Sequence, residues 1–143
     1  MIEKAVMAVF LGIESVNDLK AHTVRMISVL VFAVLGVGIN IFGKGLSGKD
    51  MIAGIGVGML CLFIAKVTNE EIGYGDGWIL CTTGIYLGGR ENLVLFFTAS
   101  IAAAVYAVVL LAVCKKEKKT EIAFVPFLFA VHMAEMGRCL LCT

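Results

Sequence analysis

The chain has 143 residues, a hydrophobic content of 60% and a mean hydropathy of +0.98. Charged residues make up 16% of it, against about 25% in an ordinary soluble domain. The net charge is only +1, and no basic stripe interleaved with aromatic residues is present, which argues against a nucleic-acid partner. We therefore expect a multi-pass protein of the plasma membrane, surrounded by the lipid bilayer and folded as one domain over residues 1–143.

Six apolar segments follow one another along the chain, and their continuous hydrophobicity favours helices over the alternating strands of a barrel. They are Ile2–Val16, Met26–Phe42, Met51–Val67, Ile72–Leu87, Leu93–Cys114 and Ile122–Leu141. The predicted fold class is all-α, a bundle of about six transmembrane helices. A helix that crosses a bilayer needs about 20 residues. The first and fourth segments reach that length only with their flanking acids, Asp18 and Asp76, included.

Glycines four residues apart predict close helix contacts in the middle of the chain. They are Gly54 and Gly58 in the third segment and Gly84 and Gly88 at the fourth. Two more glycines, Gly36 and Gly38, lie in the second segment. Small residues let helices approach closely in lipid. We expect the second, third and fourth segments to form a tight bundle.

An acidic residue lies among glycines at the start of the fourth segment, in Gly73-Tyr74-Gly75-Asp76-Gly77-Trp78. An ionisable group at the edge of a hydrocarbon layer costs free energy, so it is a functional hypothesis by default. The alternative is a tight turn in which Asp76 caps the fourth helix. A second acid, Asp18, follows the first segment, and two whole segments separate it from the fourth. An even number of crossings places both acids on one face of the membrane.

Two close carboxylates share a proton, because like charges disfavour double ionisation. One then accepts a proton from water while the other donates one to a carbonyl, as in an aspartic protease. This chemistry needs no cofactor and no metal. His22 and His132 lie near opposite ends of their segments, which argues against a shared zinc site. The Cys139-x-x-Cys142 pair lacks a second pair of ligands.

Other polar residues have structural interpretations. Glu14 lies one helical turn before Asp18 and either shares its face or is a polar residue among the helices. Glu70-Glu71 precedes the fourth segment, where acids complement the positive end of a helix. Three residues of the last segment recur every three positions and are expected to hydrogen-bond one another or to reach the membrane surface: His132, Glu135 and Arg138.

In these features the chain resembles the type IV prepilin peptidases, GxGD membrane aspartyl proteases that include the archaeal preflagellin peptidases. The resemblance rests on Gly73-Tyr74-Gly75-Asp76, on Asp18-Leu19-Lys20 and on the Pro-Phe segment Phe124–Leu128. It implies a peptidase that removes the basic leader of a prepilin-like protein at the cytoplasmic membrane face. Asp18 and Asp76 would be the catalytic pair, and Gly73 and Gly75 would let the substrate backbone approach.

The chain departs from that family's pattern in two places. The family often has Ile-Pro after the first Asp, where this chain has Val24-Arg25-Met26, and a Lys two places after the GxGD Asp, where it has Trp78. Larger bacterial members carry an N-terminal cytoplasmic domain and also N-methylate their product. Since this chain begins with its first apolar segment, we expect a short form without methyltransferase activity.

Two other functions are compatible with the same acids. One is a small non-enzymatic membrane protein, transporter-like or part of an assembly, in which the acids bind a cation or relay protons. The other is an inactive peptidase homologue. Release of a leader peptide from a prepilin-like protein distinguishes the peptidase from both.

The basic cluster Lys115–Lys119 predicts the orientation, because short cytoplasmic loops carry an excess of Lys and Arg. This loop should lie in the cytoplasm, with the N-terminus outside. Single cysteines placed at 115–119 should therefore react with an impermeant thiol reagent only from the cytoplasmic side, and cysteines near Gly45 only from outside. Reaction of both positions from one side would contradict the six-segment arrangement.

Overall fold

The computed structural model of the protein describes residues 1–43, 45–69, 73–114 and 122–142, which contain helices and no strand. The helices are α1 (Ile2–Ala21), α2 (Met26–Phe42), α3 (Gly48–Val67), α4 (Tyr74–Val113) and α5 (Val125–Leu141). The all-α prediction is confirmed. The predicted bundle of six transmembrane helices is not confirmed, since only α3 and α4 among the described helices are long and apolar enough to cross a membrane. The predicted fourth and fifth segments are the two parts of α4, on either side of Gly88.

Two helices are longer than the predicted segments: α1 ends later and α3 begins earlier. α1 continues past Val16 to Ala21, so that Asp18 lies inside a helix. α3 begins at Gly48, before the start of the predicted third segment at Met51, and the Ser47 hydroxyl accepts a hydrogen bond from the Asp50 N–H at 3.3 Å. Such a side chain satisfies one of the orphan donors at a helix start. The connector Lys115–Glu121 and the pair Glu70-Glu71 lie outside the described residues.

The chain reverses direction inside α4, at Gly88. This residue has φ 79° and ψ 178°, a conformation that glycine adopts and side chains disfavour. The Asn92 side chain donates a hydrogen bond to the Leu80 carbonyl at 2.9 Å, whereas twelve residues of straight helix would separate them by about 18 Å. α4 is therefore a helical hairpin, with a first arm over 74–87 and a second arm over 89–113. The predicted fourth and fifth segments leave out residues 88–92, but of these only Gly88 departs from the helical conformation, since 89–92 are helical.

Asn92 fastens this hairpin to α3. It is 0% exposed, and its amide group also donates to the Gly54 carbonyl at 3.1 Å. Its side-chain oxygen accepts the Thr83 hydroxyl hydrogen at 2.7 Å. A buried amide with these partners avoids the cost of an unpaired polar group and joins three helical segments at one point.

The first arm of α4 is the centre of the molecule, with a continuous buried run from Ile79 to Gly88. α3 packs against it through glycines, because a Cβ added at Gly54 would overlap the backbone of Gly84. α2 packs through Gly36, where an added Cβ would lie 2.8 Å from the Tyr86 ring. The predicted close packing is thus found between α4 and each of α2 and α3. Gly38 takes no part in it, since nothing lies within 4 Å of a Cβ built there.

α1 and α5 pack side by side. The Phe129 ring lies 3.4 Å from the place a Cβ would take at Gly12. His132 is 1% exposed, and its Nε2 lies 3.0 Å from the Lys4 carbonyl oxygen. The prediction that His132 bonds within its own helix or reaches the membrane surface is therefore wrong, because α1 covers this side of α5 and supplies the partner.

Two of the described helices, α3 and α4, are long and apolar enough to cross a membrane, and α2 is a shorter apolar helix. Large apolar side chains on the second arm of α4 face outward, among them Phe97, Ile101, Val105 and Val108. A soluble protein seldom exposes such a continuous apolar surface. This surface fits the membrane location expected from the composition.

The glycine contact between α3 and α4 generates a stability prediction. Gly54→Ala should destabilise the protein by about 1–3 kcal/mol, because the new methyl group has no room against Gly84. Gly56→Ala, on the same helix with nothing within 4 Å of the added Cβ, is the matched control and should leave stability unchanged or slightly higher. Thermal unfolding in detergent, followed by circular dichroism, measures both. Equal midpoints for the two variants would contradict the packing described here.

Candidate active site

The two predicted acids line one cavity of about 1000 Å³. Asp18 comes from the last turn of α1 and Asp76 from the first turn of α4. The rest of the wall comes from the connection between α1 and α2, from the first residue of α2, from α3, from both arms of α4 and from Ile122 and Phe124 just before α5. The structure thus brings together two residues that are 58 positions apart in the sequence.

Asp18 is held in place by the start of α5. It is 8% exposed, and its Oδ2 accepts a hydrogen bond from the Val125 N–H at 3.1 Å. Val125 is the first residue of α5, so its N–H has no acceptor within the helix, and a carboxylate is favoured beside the positive end of the helix dipole. The Phe124–Leu128 segment thus contributes a hydrogen-bond donor to Asp18, a contact that the sequence alone did not indicate.

Asp76 lies at the beginning of α4 and is partly buried. Its N–H donates to the Gly73 carbonyl at 3.2 Å. Gly73 is the N-cap residue, and no side chain among the described residues caps this helix, so the interpretation of Asp76 as a capping residue is wrong. A Cβ at Gly73 would lie 3.3 Å from the Asp76 Oδ2, so the glycine leaves room for the carboxylate.

The turn between α1 and α2, residues 22–25, closes over the glycine motif. It begins at His22, whose φ of 48° ends α1 in the left-handed region. A Cβ added at Gly75 would lie 2.6 Å from Val24 Cγ2. The space above Gly75, where the family resemblance implied an approaching substrate backbone, is therefore taken by the Val24 side chain.

Glu14 supports this turn from within the bundle. Its side chain is 0% exposed, and Oε2 accepts a hydrogen bond from the Arg25 N–H at 3.3 Å. The other oxygen, Oε1, is buried without a hydrogen-bond partner among the described residues. The sequence placed Glu14 one turn from Asp18. Its contact with the turn depends on how the chain folds back after α1, which no local pattern indicates.

The remaining cavity wall is mainly apolar, with aromatic and aliphatic side chains from several helices: Val24, Met26, Trp78, Leu80, Phe96, Ile122 and Phe124. Tyr74 and Ser100 add hydroxyl groups, and Cys61 adds a thiol. Ligand pockets commonly combine such walls with a few polar groups. Among the described residues, no group of His, Cys, Asp and Glu is arranged to hold a metal ion.

Comparison with known proteins places the same region in a family. Residues 5–108, which include both acids, match the model of the Type IV leader peptidase family. The chain is 35% identical over 106 residues, 70% of its length, to a prepilin leader peptidase/N-methyltransferase of Stutzerimonas stutzeri. The chain covers 37% of that relative, so it spans little more than a third of its length. No solved structure gives a significant match.

The contact between Gly75 and Val24 can be tested without knowing the function. Gly75→Ala should lower the unfolding midpoint, since overpacking of this kind costs about 1–3 kcal/mol. Adding Val24→Ala removes the methyl group that the new Cβ meets, so the double variant should be more stable than the sum of the single effects predicts. Thermal unfolding of all four proteins in detergent gives the coupling. Additive effects would contradict the contact.

Proposed function

This chain belongs to the Type IV leader peptidase family, and from that premise we propose that it is an aspartic endopeptidase that removes the leader peptide of prepilin-like proteins at the cytoplasmic membrane face. The observation that carries the proposal is the position of Asp18 and Asp76 on one cavity. The substrate class is inferred from the family, and the type of catalysis is inferred from the two acids.

The two carboxyl groups act as one acid–base unit. The ionised carboxylate takes a proton from water, and the resulting hydroxide attacks the carbonyl carbon of the scissile peptide bond. The protonated carboxyl group gives its proton to the carbonyl oxygen at the same time, which forms a neutral tetrahedral diol. The carboxyl group that took its proton from water then gives it to the amide nitrogen, while the other, now ionised, takes a proton from a hydroxyl of the diol. The C–N bond breaks to release an amine and a carboxylic acid, and the pair again shares one proton.

The position of the acids along their helices supports a cut at the edge of the membrane. Asp18 lies in the last turn of α1 and Asp76 in the first turn of α4. Both therefore lie where an apolar helix ends, at the level where the apolar helix of a substrate would also begin. The apolar wall suits the residues of that helix, and the negative charge of the acids attracts a basic leader.

Replacing the acids tests the catalytic unit. Asp18→Asn, Asp76→Asn and the double variant should each abolish leader removal, with the double variant little worse than either single one, because effects within one catalytic unit are not additive. Asp50→Asn, an exposed Asp at the start of α3, is the matched control and should keep wild-type activity. The measurement is the initial rate with a purified prepilin-like substrate, with mass spectrometry of the new N-terminus.

The pH dependence provides a second measurement on the same proteins. Activity of the wild type should fall at low pH, where the base is protonated, and at high pH, where the shared proton is lost. The two apparent pKa values of the profile belong to the pair and not to either acid. A well-folded Asp18→Asn or Asp76→Asn protein with full activity would contradict the peptidase proposal and favour a cation-binding or proton-relaying membrane protein.

A further inference from the structure

We propose that Glu14 is a positioning residue of the active site, which holds the turn 22–25 against the glycine motif and so keeps Asp76 facing Asp18. The proposal rests on the peptidase function given above. Glu14 does not line the cavity, so it does not touch substrate. It acts through the Arg25 N–H and the Val24 side chain.

The first step is the bond from Glu14 to the turn. Arg25 is the N-cap of α2, and no side chain caps this helix by the usual local hydrogen bond. Glu14 reaches it from the preceding helix, eleven residues away, with Oε2 at 3.3 Å from the Arg25 nitrogen. A fully buried carboxylate is costly in an apolar environment and is tolerated where it has partners. One backbone N–H at the rim of the cavity is the partner that the described residues supply.

The second step leads from the turn to the motif. Val24 precedes Arg25, and its Cγ2 fills the space directly above Gly75, the residue before Asp76. The turn therefore fits against the start of α4 with no spare room. If the Arg25 N–H is released, Val24 is no longer held over Gly75, and the wall beside Asp76 loosens. A displacement of about 1 Å of a catalytic group is enough to cost about 100-fold in rate.

A comparison with Asp18 supports this role. Each buried acid of α1 accepts the N–H of a residue that starts another helix: Glu14 that of Arg25 at α2, and Asp18 that of Val125 at α5. Asp18 also faces the cavity and Glu14 does not. The two acids therefore share a positioning role, and only Asp18 adds a catalytic one.

Three variants of Glu14 and Glu3 separate positioning from general stability. Glu14→Leu keeps the volume and removes the acceptor, so kcat should fall about 10-fold or more, with a smaller change in KM. Glu14→Gln keeps an oxygen acceptor and should restore kcat to within about 3-fold of wild type. Glu3→Leu makes the same change at the opposite end of α1 and should behave as wild type in both parameters.

A second pair of variants breaks the same bond from the other side, in case Glu14→Leu does not fold. Arg25→Pro removes the N–H and suits the φ of −80° at this position, whereas Arg25→Ala keeps the N–H. Arg25→Pro should reproduce the loss in kcat, and Arg25→Ala should not.

Thiol labelling provides a readout that does not depend on peptidase activity. Cys61 lines the cavity, while Cys114 is exposed and serves as an internal reference. The rate at which N-ethylmaleimide modifies Cys61 should rise several-fold in Glu14→Leu and Arg25→Pro, because the wall loosens, and the Cys114 rate should stay constant. Mass spectrometry of the two cysteine peptides measures both rates.

The outcomes are distinct. Wild-type kcat and wild-type Cys61 labelling in Glu14→Leu would overturn the inference, as would a Glu14→Gln protein that is as impaired as Glu14→Leu. If the wild-type chain cleaves no prepilin-like substrate, the peptidase proposal fails. The labelling rates of the same variants still show whether Glu14 holds the turn.

Discussion

The Asn92 side chain joins both arms of α4 to α3, and the arrangement of the core depends on it. Gly88 permits the reversal of the chain, but a glycine only makes that conformation accessible. The hydrogen bonds from the fully buried Asn92 to the Leu80 and Gly54 carbonyls stabilise it. With the reversal in place, the first arm is enclosed on several sides, and Asp76 at its beginning faces into the molecule.

At the end of the bundle that holds the candidate site, hydrogen bonds again join different helices. Here the backbone N–H groups at two helix starts donate to carboxylates of a third helix. Two buried carboxylates on α1 accept the N–H groups at the starts of α2 and α5. An N–H at a helix start has no partner in its own helix, and in a membrane it needs one from the protein. Asp18 therefore has a structural role, the hydrogen bond with the Val125 N–H, in addition to its proposed catalytic role with Asp76. Glu14 has a structural role outside the cavity, the hydrogen bond with the Arg25 N–H.

The glycines of the motif region serve packing in this structure. Gly73 leaves room for the Asp76 carboxylate, and Gly75 leaves room for Val24. Each of these spaces is occupied by a side chain of the protein itself, so the motif fixes the position of Asp76 by close contact. The proposed reaction uses two carboxyl groups from distant segments and would require such contacts, because its rate would depend steeply on their separation.

The sequence by itself determined the class of protein, the limits of α2, the pair of acids and the family resemblance, because hydropathy, spacing and a short motif are local properties. It also indicated through segment parity that Asp18 and Asp76 lie on one face of the membrane. The sequence also predicted a reversal between the fourth and fifth segments, but only the tertiary structure decided that it takes place at Gly88 alone, with 89–92 helical. A single change of φ leaves the apolar pattern intact, so the pattern does not show which residue makes the turn. The tertiary structure likewise decided which N–H groups Glu14 and Asp18 accept, because the partner of a buried carboxylate is chosen by long-range packing, across 107 residues in the case of Asp18 and Val125.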